Sequence, residues 1–88
     1  MNIQSAIIQG TNILKNRYIQ TAQLDTEILM AKALGKDRKY IILNNNKYLQ
    51  DENLKYFKRL IKERSSRKPI AHLINKKFFW NSEFFVTS

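Results

Sequence analysis

The sequence lacks most of the residue types that reinforce or activate small proteins. Its 88 residues include no cysteine, one proline, two glycines and one histidine. Disulfides and Cys/His zinc sites are therefore excluded, and stability must come from packed helices. Gly10 and Gly35, the only glycines, both fall at predicted helix positions, so there is no glycine-rich loop to bind a phosphate or a cofactor.

Long apolar runs are also missing. The longest uninterrupted stretches contain a few residues, well short of the ~20 that a membrane-spanning helix needs. The start, MNIQSAIIQG, lacks the basic segment and apolar run of a signal peptide. We therefore expect one small cytoplasmic domain with a thin core and no membrane partner.

Acidic residues are scarce, with 7 Asp and Glu against 16 Lys and Arg, and the formal net charge is +9. Such a charge suits a nucleic acid, an anionic membrane or an acidic protein as partner. However, Lys, Asn and Ile together supply 31 of the 88 residues, a bias that AT-rich coding produces without selection for a ligand. The charge permits an anionic partner without requiring one.

Apolar residues at three- and four-residue spacing predict two helices in the first half of the chain. Asn2 suits the N-cap of the first helix, whose inner face comprises Ile3, Ala6, Ile7, Gly10, Ile13 and Leu14. Thr21 suits the N-cap of the second, and Gly35 ends it in a left-handed conformation. The predicted inner face of the second helix comprises Leu24, Ile28, Ala31 and Leu34.

Three more helices are predicted in the second half, which gives an all-α bundle of about five helices. Asp37 caps a short third helix that the asparagines at 44–46 end. Residues 51–67 show the clearest periodicity and predict a long amphipathic helix, with an apolar face of Leu54, Phe57, Leu60 and Ile61. Residues 69–74 form a short fifth helix, because proline suits a first helical position.

The pattern becomes extended in residues 76–88, KKFFWNSEFFVTS, which contain the only tryptophan and four of the five phenylalanines. Aromatic runs around an Asn-containing connection predict a β-hairpin. Its side chains alternate between two faces, so both faces carry aromatic residues, and one small bundle cannot easily cover both. We therefore divide the chain into a helical domain, 1–75, and a hairpin linker, 76–88. The aromatic residues expected at a junction with a missing neighbour are Phe78, Phe79, Trp80, Phe84 and Phe85.

Few groups are candidates for catalysis. His72, the sole imidazole, is expected to be a partly buried structural residue rather than a general base. The pairs Asp25/Glu27 and Asp51/Glu52 lie in first helical turns, where carboxylates stabilise the helix dipole. Taken alone, the chain is predicted to be non-catalytic and to hold no metal or cofactor.

The best binding candidate is a basic stripe on the long helix, formed by Lys55, Lys58, Arg59 and Lys62. Four cations on one helical face can contact phosphates or an acidic protein surface, although a solvated face opposite the core is the simpler interpretation. A freestanding nucleic-acid-binding module, with bases stacked on Phe79 or Trp80, is an alternative. A third interpretation is a bundle that mainly stabilises and solubilises a larger enzyme.

Two segments point to a family. Residues 24–35, LDTEILMAKALG, resemble the helix LDAEILLAHVLG in the N-terminal domain of the HemK/PrmC enzymes, the release-factor glutamine methyltransferases. Residues 67–88, RKPIAHLINKKFFWNSEFFVTS, resemble the segment that ends that domain, close to EPIAYILGEREFWGLPFKVSP. The order and separation of the two segments also fit, so the resemblance covers essentially the whole chain.

The resemblance implies a release-factor-binding helical domain, followed by a β-hairpin linker and a Rossmann-like domain that binds S-adenosylmethionine. Enzymes of this family methylate the side-chain nitrogen of the glutamine in the Gly-Gly-Gln loop of peptide chain release factors 1 and 2. Their Asn-Pro-Pro-Tyr motif and glycine-rich cofactor loop do not occur in this sequence. We therefore expect a fragment whose partners are a release factor and its own catalytic domain in cis.

Overall fold

The computed structural model describes residues 1–75, which form five helices. In chain order these are α1 (Ile3–Asn16), α2 (Ala22–Leu34), α3 (Arg38–Leu43), α4 (Asp51–Ser65) and α5 (Ile70–Asn75). The predicted all-α bundle of about five helices is confirmed, and the predicted hairpin at 76–88 lies outside the described residues. None of these five helices combines the length and the apolar character needed to cross a membrane.

The centre of the bundle consists of α1, α2 and α4, each of which packs against the other two. The short helix α3 packs on α2, and α5 lies against both α2 and α4. The largest fully buried apolar side chains come from all five helices and comprise Leu14, Leu29, Met30, Ile41, Leu60 and Leu73. Burial of each such side chain contributes about 1.5–3 kcal/mol, so α5 stabilises the seam between α2 and α4 through Leu73.

Three predicted helix ends are confirmed. Asn2 Oδ1 accepts a hydrogen bond from the backbone N–H of Ser5 at 2.8 Å, which caps α1. Asp37 Oδ1 accepts one from the N–H of Tyr40 at 2.9 Å, which caps α3. Gly35 follows α2 with φ +67°, the left-handed conformation that glycine adopts without steric cost.

The loop between α3 and α4 completes the capping of α1. The N–H groups of Ile3 and Gln4 donate to the carbonyl oxygens of Lys47 and Asn45 at 2.9 and 2.8 Å. Each of the first N–H groups of α1 thereby has a partner that the helix itself does not offer. The sequence did not indicate this contact, because it joins segments that are distant along the chain.

The predicted inner face of α2 is correct in part. Ala31 is 7% exposed and Leu34 packs against the core, whereas Leu24 is 42% exposed. Asp25, Thr26 and Met30, which lie outside the predicted face, are buried. The reason is the position of α2, which packs against α1, α3, α4 and α5 and therefore has no single apolar stripe. Ile13 of α1 also departs from the prediction, because it is 46% exposed.

The boundaries around the last helix shift by one or two residues. Helix α4 ends at Ser65 rather than Arg67, and Arg67 takes a left-handed conformation with φ +71°. Helix α5 begins at Ile70, directly after Pro69. The ring of a proline disfavours helical backbone at the residue before it, so the two helices cannot join through Lys68.

Candidate functional site

A groove of about 440 Å³ lies along the seam between α1 and α4. Its α1 wall consists of Ala6, Gln9, Gly10 and Ile13, and its α4 wall consists of Leu54, Phe57, Lys58, Ile61, Lys62 and Ser65. We call this the α1/α4 groove. Most of its lining side chains are apolar, and its polar groups are an amide, a hydroxyl and two ammonium groups.

Gly10 lets the two walls approach each other. A Cβ atom at this position would lie 2.9 Å from Cγ2 of Thr26 and 3.0 Å from both Cδ1 of Ile61 and Cζ of Phe57. Distances this short mean that side chains of α2 and α4 occupy the space that any larger residue needs. A glycine inside a helix costs about 1 kcal/mol relative to alanine, so close packing is the physical reason for a glycine here.

Hydrogen bonds fix both ends of this pair of helices. At the N-terminal ends, the N–H of Leu49 donates to the carbonyl of Met1 at 3.0 Å. At the C-terminal ends, Nε of Arg17 donates to the carbonyl of Ser65 at 3.1 Å, and Nη2 of Arg67 donates to the carbonyl of Arg17 at 2.7 Å. Helices α1 and α4 therefore run in the same direction, and contacts at each end set the width of the groove.

The structure divides the predicted basic stripe. All four of its residues, Lys55, Lys58, Arg59 and Lys62, are exposed. Lys58 and Lys62 line the α1/α4 groove, whereas Arg59 places Nε 3.7 Å from Oε2 of Glu63. Lys58 and Lys62 therefore border an apolar surface, whereas Lys55 and Arg59 do not line it. Helical periodicity alone placed all four on one face and did not separate them.

The seam between α2 and α4 contains a buried ion pair. Oδ2 of Asp25, a residue that is 3% exposed, accepts hydrogen bonds from Nε of Arg64 and from Oγ1 of Thr21, both at 2.9 Å. Nη1 of Arg64 also donates to the carbonyl of Lys68 at 2.8 Å, in the connection to α5. The interpretation of Asp25 as only a helix-dipole residue is therefore incomplete, since it joins two helices.

The other described carboxylates have structural contacts or lie at a helix start. Oε1 of Glu27 accepts from Nη2 of Arg38 at 2.8 Å, which joins α2 to α3. Oε1 of Glu63 accepts from Nζ of Lys68 at 3.0 Å. Asp51 and Glu52 are exposed in the first turn of α4, as predicted. In residues 1–75, no group of three or more Asp, Glu or His side chains is arranged to hold a metal ion.

The prediction for His72 is wrong in its burial. Helix α5 turns Leu73 into the core and packs Ile70 and Ile74 against it, which leaves the His72 side chain on the exposed side.

Burial of the Tyr56 side chain on α4 raises the pKa of its hydroxyl to about 12. The nearby charge of Arg59 lowers this pKa, and that of Glu63 raises it. The predicted junction residues, Phe78, Phe79, Trp80, Phe84 and Phe85, lie outside the described residues.

Comparison with known proteins shows the family. The family described as PrmC N-terminal domain matches residues 5–74, a range that contains all of α2, α3 and α4 and nearly all of α1 and α5. The chain belongs to this family. The residues that line the α1/α4 groove and the Asp25–Arg64 pair all lie within the range that matches the PrmC N-terminal domain.

The relatives are longer proteins. A release factor glutamine methyltransferase of Leptospira interrogans is 34% identical over 85 residues, which are 97% of this chain and 30% of the relative. One of Clostridium botulinum is 29% identical over 84 residues, 96% of this chain and 30% of the relative. A bifunctional methyltransferase of Rickettsia felis is 27% identical over 85 residues, 97% of this chain and 16% of the relative. No solved structure matches the chain significantly.

Proposed function

We propose that this chain is the release-factor-binding domain of an S-adenosylmethionine-dependent protein glutamine N5-methyltransferase. The observation that carries the proposal is the match of residues 5–74 to the PrmC N-terminal domain family. Similar proteins named release factor glutamine methyltransferase, of which the chain covers 30%, support a parent with a further catalytic domain in cis. That domain would bind S-adenosylmethionine.

The proposed substrate is the glutamine of the Gly-Gly-Gln motif in peptide chain release factors 1 and 2. In the reaction, the side-chain amide nitrogen gains a methyl group and loses a proton, while the sulfonium of the donor becomes a thioether. An amide nitrogen is a weak nucleophile because its lone pair is delocalised into the carbonyl. Orientation of the two reactants can supply about 7–11 kcal/mol of such a barrier.

A domain that holds the release factor away from the reacting glutamine contributes to that orientation. The ionisable groups of this bundle suit binding rather than chemistry, because Asp25, Glu27 and Glu63 all have cationic neighbours. We propose contacts with the release factor through the basic stripe, Lys55, Lys58, Arg59 and Lys62. The residues proposed to contact the catalytic domain are Phe78, Phe79, Trp80, Phe84 and Phe85.

The test compares the full-length parent with a form that lacks residues 1–75. Methyl transfer is measured on an intact release factor and on a short peptide that contains Gly-Gly-Gln. We expect kcat/KM to fall steeply on the intact factor and much less on the peptide, because only the intact factor has a surface for the helical domain to bind. Equal kcat/KM values on the intact factor, with and without residues 1–75, contradict the proposal.

A salt titration separates this function from the nucleic-acid-binding alternative. The 88-residue chain is mixed with a release factor and, separately, with single-stranded and duplex nucleic acid. Binding that is independent of base sequence and falls steeply with salt would indicate phosphate contacts. Such binding, together with no affinity for the release factor, overturns the proposed function.

A further inference from the structure

The α1/α4 groove has the shape and charge of a docking site for a helix. We propose that its occupant is an amphipathic helix of the release factor, with an apolar face flanked by acidic residues. The proposal rests on the proposed function for the source of the helix, whereas the chemistry of the helix follows from the groove.

The bundle itself shows how a helix fits such a seam. Helix α5 lies across α2 and α4 and places Ile70, Leu73 and Ile74 against the core, with Leu73 fully buried. These residues have the i, i+3, i+4 spacing with which amphipathic helices fill hydrophobic grooves. The outer side of the α1/α4 seam has the same kind of walls, and the described residues leave it open.

The apolar base of the groove is well packed, and its exposed apolar surface lies at the rim. Ala6, Phe57 and Ile61 are 1%, 2% and 2% exposed, whereas Leu54 is half-buried. Ile13, at 46% exposure, presents apolar surface that a partner can cover. A concave apolar surface with a few polar groups at its edge is typical of binding sites.

Charge selects the kind of partner. Lys58 and Lys62 line the groove, and its ten lining residues include no carboxylate. Helix α1 has no acidic residue at all, and Asp51 and Glu52 begin α4 without lining the groove. Acidic side chains beside the apolar face of a partner helix would therefore meet two ammonium groups and no carboxylate in the lining, and Glu63 of α4 is paired with Lys68.

Two other occupants fit less well. A second copy of this chain brings another net charge of +9, which opposes association through a basic surface. A single-stranded nucleic acid needs exposed aromatic faces for base stacking, and Phe57, the aromatic residue in the lining, is 2% exposed.

The decisive test compares two isoleucines of α1 in the 88-residue chain. Ile13 lines the groove, whereas Ile8 is 54% exposed and does not line it. Binding of an intact release factor is measured by titration calorimetry for the native chain, Ile13→Glu and Ile8→Glu. We expect Ile13→Glu to bind the release factor at least about tenfold more weakly than the native chain, and Ile8→Glu to bind it within about twofold of the native chain. A buried apolar contact contributes more to binding than a peripheral one.

A second pair of variants tests the charge of the groove. Lys62→Glu and Lys39→Glu change the net charge equally. Lys62 lines the groove, whereas Lys39 is exposed on α3, outside both the groove and the basic stripe. We expect Lys62→Glu to weaken binding about three- to tenfold and Lys39→Glu to change it by less than about twofold. Helix content by circular dichroism and melting temperature show whether each variant is folded. This pair also decides the question if Ile13→Glu does not fold.

The outcomes separate the two proposals. If the native chain binds the release factor and the groove variants bind it equally well, the groove proposal is overturned while the proposed function stands. Equal losses for the Ile13 and Ile8 variants, or for both lysine variants, also overturn the groove proposal. If the native chain does not bind the release factor, both proposals fail. A native dimer that Ile13→Glu converts to a monomer, with unchanged release-factor binding, would assign the groove to self-association.

Discussion

The two seams along α4 differ in what covers them. The α2/α4 seam is closed by α5 and contains the ion pair between Asp25 and Arg64, with an Oδ2–Nε distance of 2.9 Å. The α1/α4 seam contains Gly10, where a Cβ atom would lie 3.0 Å from side chains of α4, and it opens outward as a groove of about 440 Å³. One helix therefore has a structural side and a side available for binding.

This difference affects how each seam responds to mutation. Side chains in the closed seam satisfy one another, so removal of one leaves a buried group without its partner. At the rim of the open groove, Ile13, Lys58 and Lys62 are exposed, so their replacement changes binding more than folding. Stability measurements therefore test the first seam and the buried base of the second, and release-factor binding tests the rim of the groove.

The largest loss of stability is expected for Arg64→Met. This change leaves the Asp25 carboxylate buried without its cation, and such a broken pair costs about 3–5 kcal/mol of the free energy of unfolding. Urea unfolding followed by circular dichroism measures it. A matched control is Arg38→Met, which breaks the half-exposed pair with Glu27 and should cost no more than about 1 kcal/mol.

The double variant Asp25→Asn/Arg64→Met sharpens this prediction. Removal of both charges also removes the unpaired carboxylate, so stability should recover by about 1–3 kcal/mol relative to Arg64→Met alone. No recovery would show that the packing of the Arg64 stem, rather than the charge of Asp25, carries the effect.

Gly10→Ala tests the close approach on the open side. The added Cβ would lie within 3.0 Å of side-chain atoms from both α2 and α4, and overpacking of this kind costs about 1–3 kcal/mol. Alanine regains about 1 kcal/mol of helix propensity, so we expect a net loss of about 1 kcal/mol in urea unfolding. A gain in stability would show that Thr26, Phe57 and Ile61 move aside freely.

Gly35→Ala tests the other glycine, where backbone conformation rather than space is limiting. Nothing lies within 4 Å of a Cβ built here, but φ is +67°, and this conformation costs an L-residue about 1 kcal/mol. Gly35→Asn should cost less, because asparagine tolerates left-handed backbone. Equal melting temperatures for the two variants would contradict this explanation.

The sequence predicted the parts of the fold that local rules determine. The caps at Asn2 and Asp37 and the stop at Gly35 depend on residues a few positions apart, and those predictions are confirmed. The apolar face of α4 is also correct for Phe57, Leu60 and Ile61, because a helix at the surface of a bundle keeps one polar side.

The rest depends on contacts between distant segments. The inner face of α2 was correct for Ala31 and wrong for Leu24, because a helix that packs against four others has no single apolar stripe to mark its register. The partner of Asp25 lies 39 positions away along the chain, and the groove requires α1 and α4 to pack side by side, with Gly10 against Phe57 and Ile61. Periodicity within one helix does not show which other helix its face will contact.

The smallest effect is expected for Tyr56→Phe, on α4 but outside the groove lining. The pKa of Tyr56 is raised to about 12, chiefly by burial, against about 10 in an unfolded chain. The unfolded state therefore loses its proton first, so this contribution to stability is complete below pH ~10 and is lost as the pH rises toward ~12. Because Tyr56 is only partly buried, this loss in the free energy of unfolding should be about 1 kcal/mol.

Urea unfolding between pH ~9 and ~11.5 measures this pH dependence. The free energy of unfolding should fall less steeply with pH for Tyr56→Phe than for Tyr18→Phe, the control at an 85% exposed tyrosine. Identical pH profiles for the two variants would show that burial of Tyr56 does not influence stability.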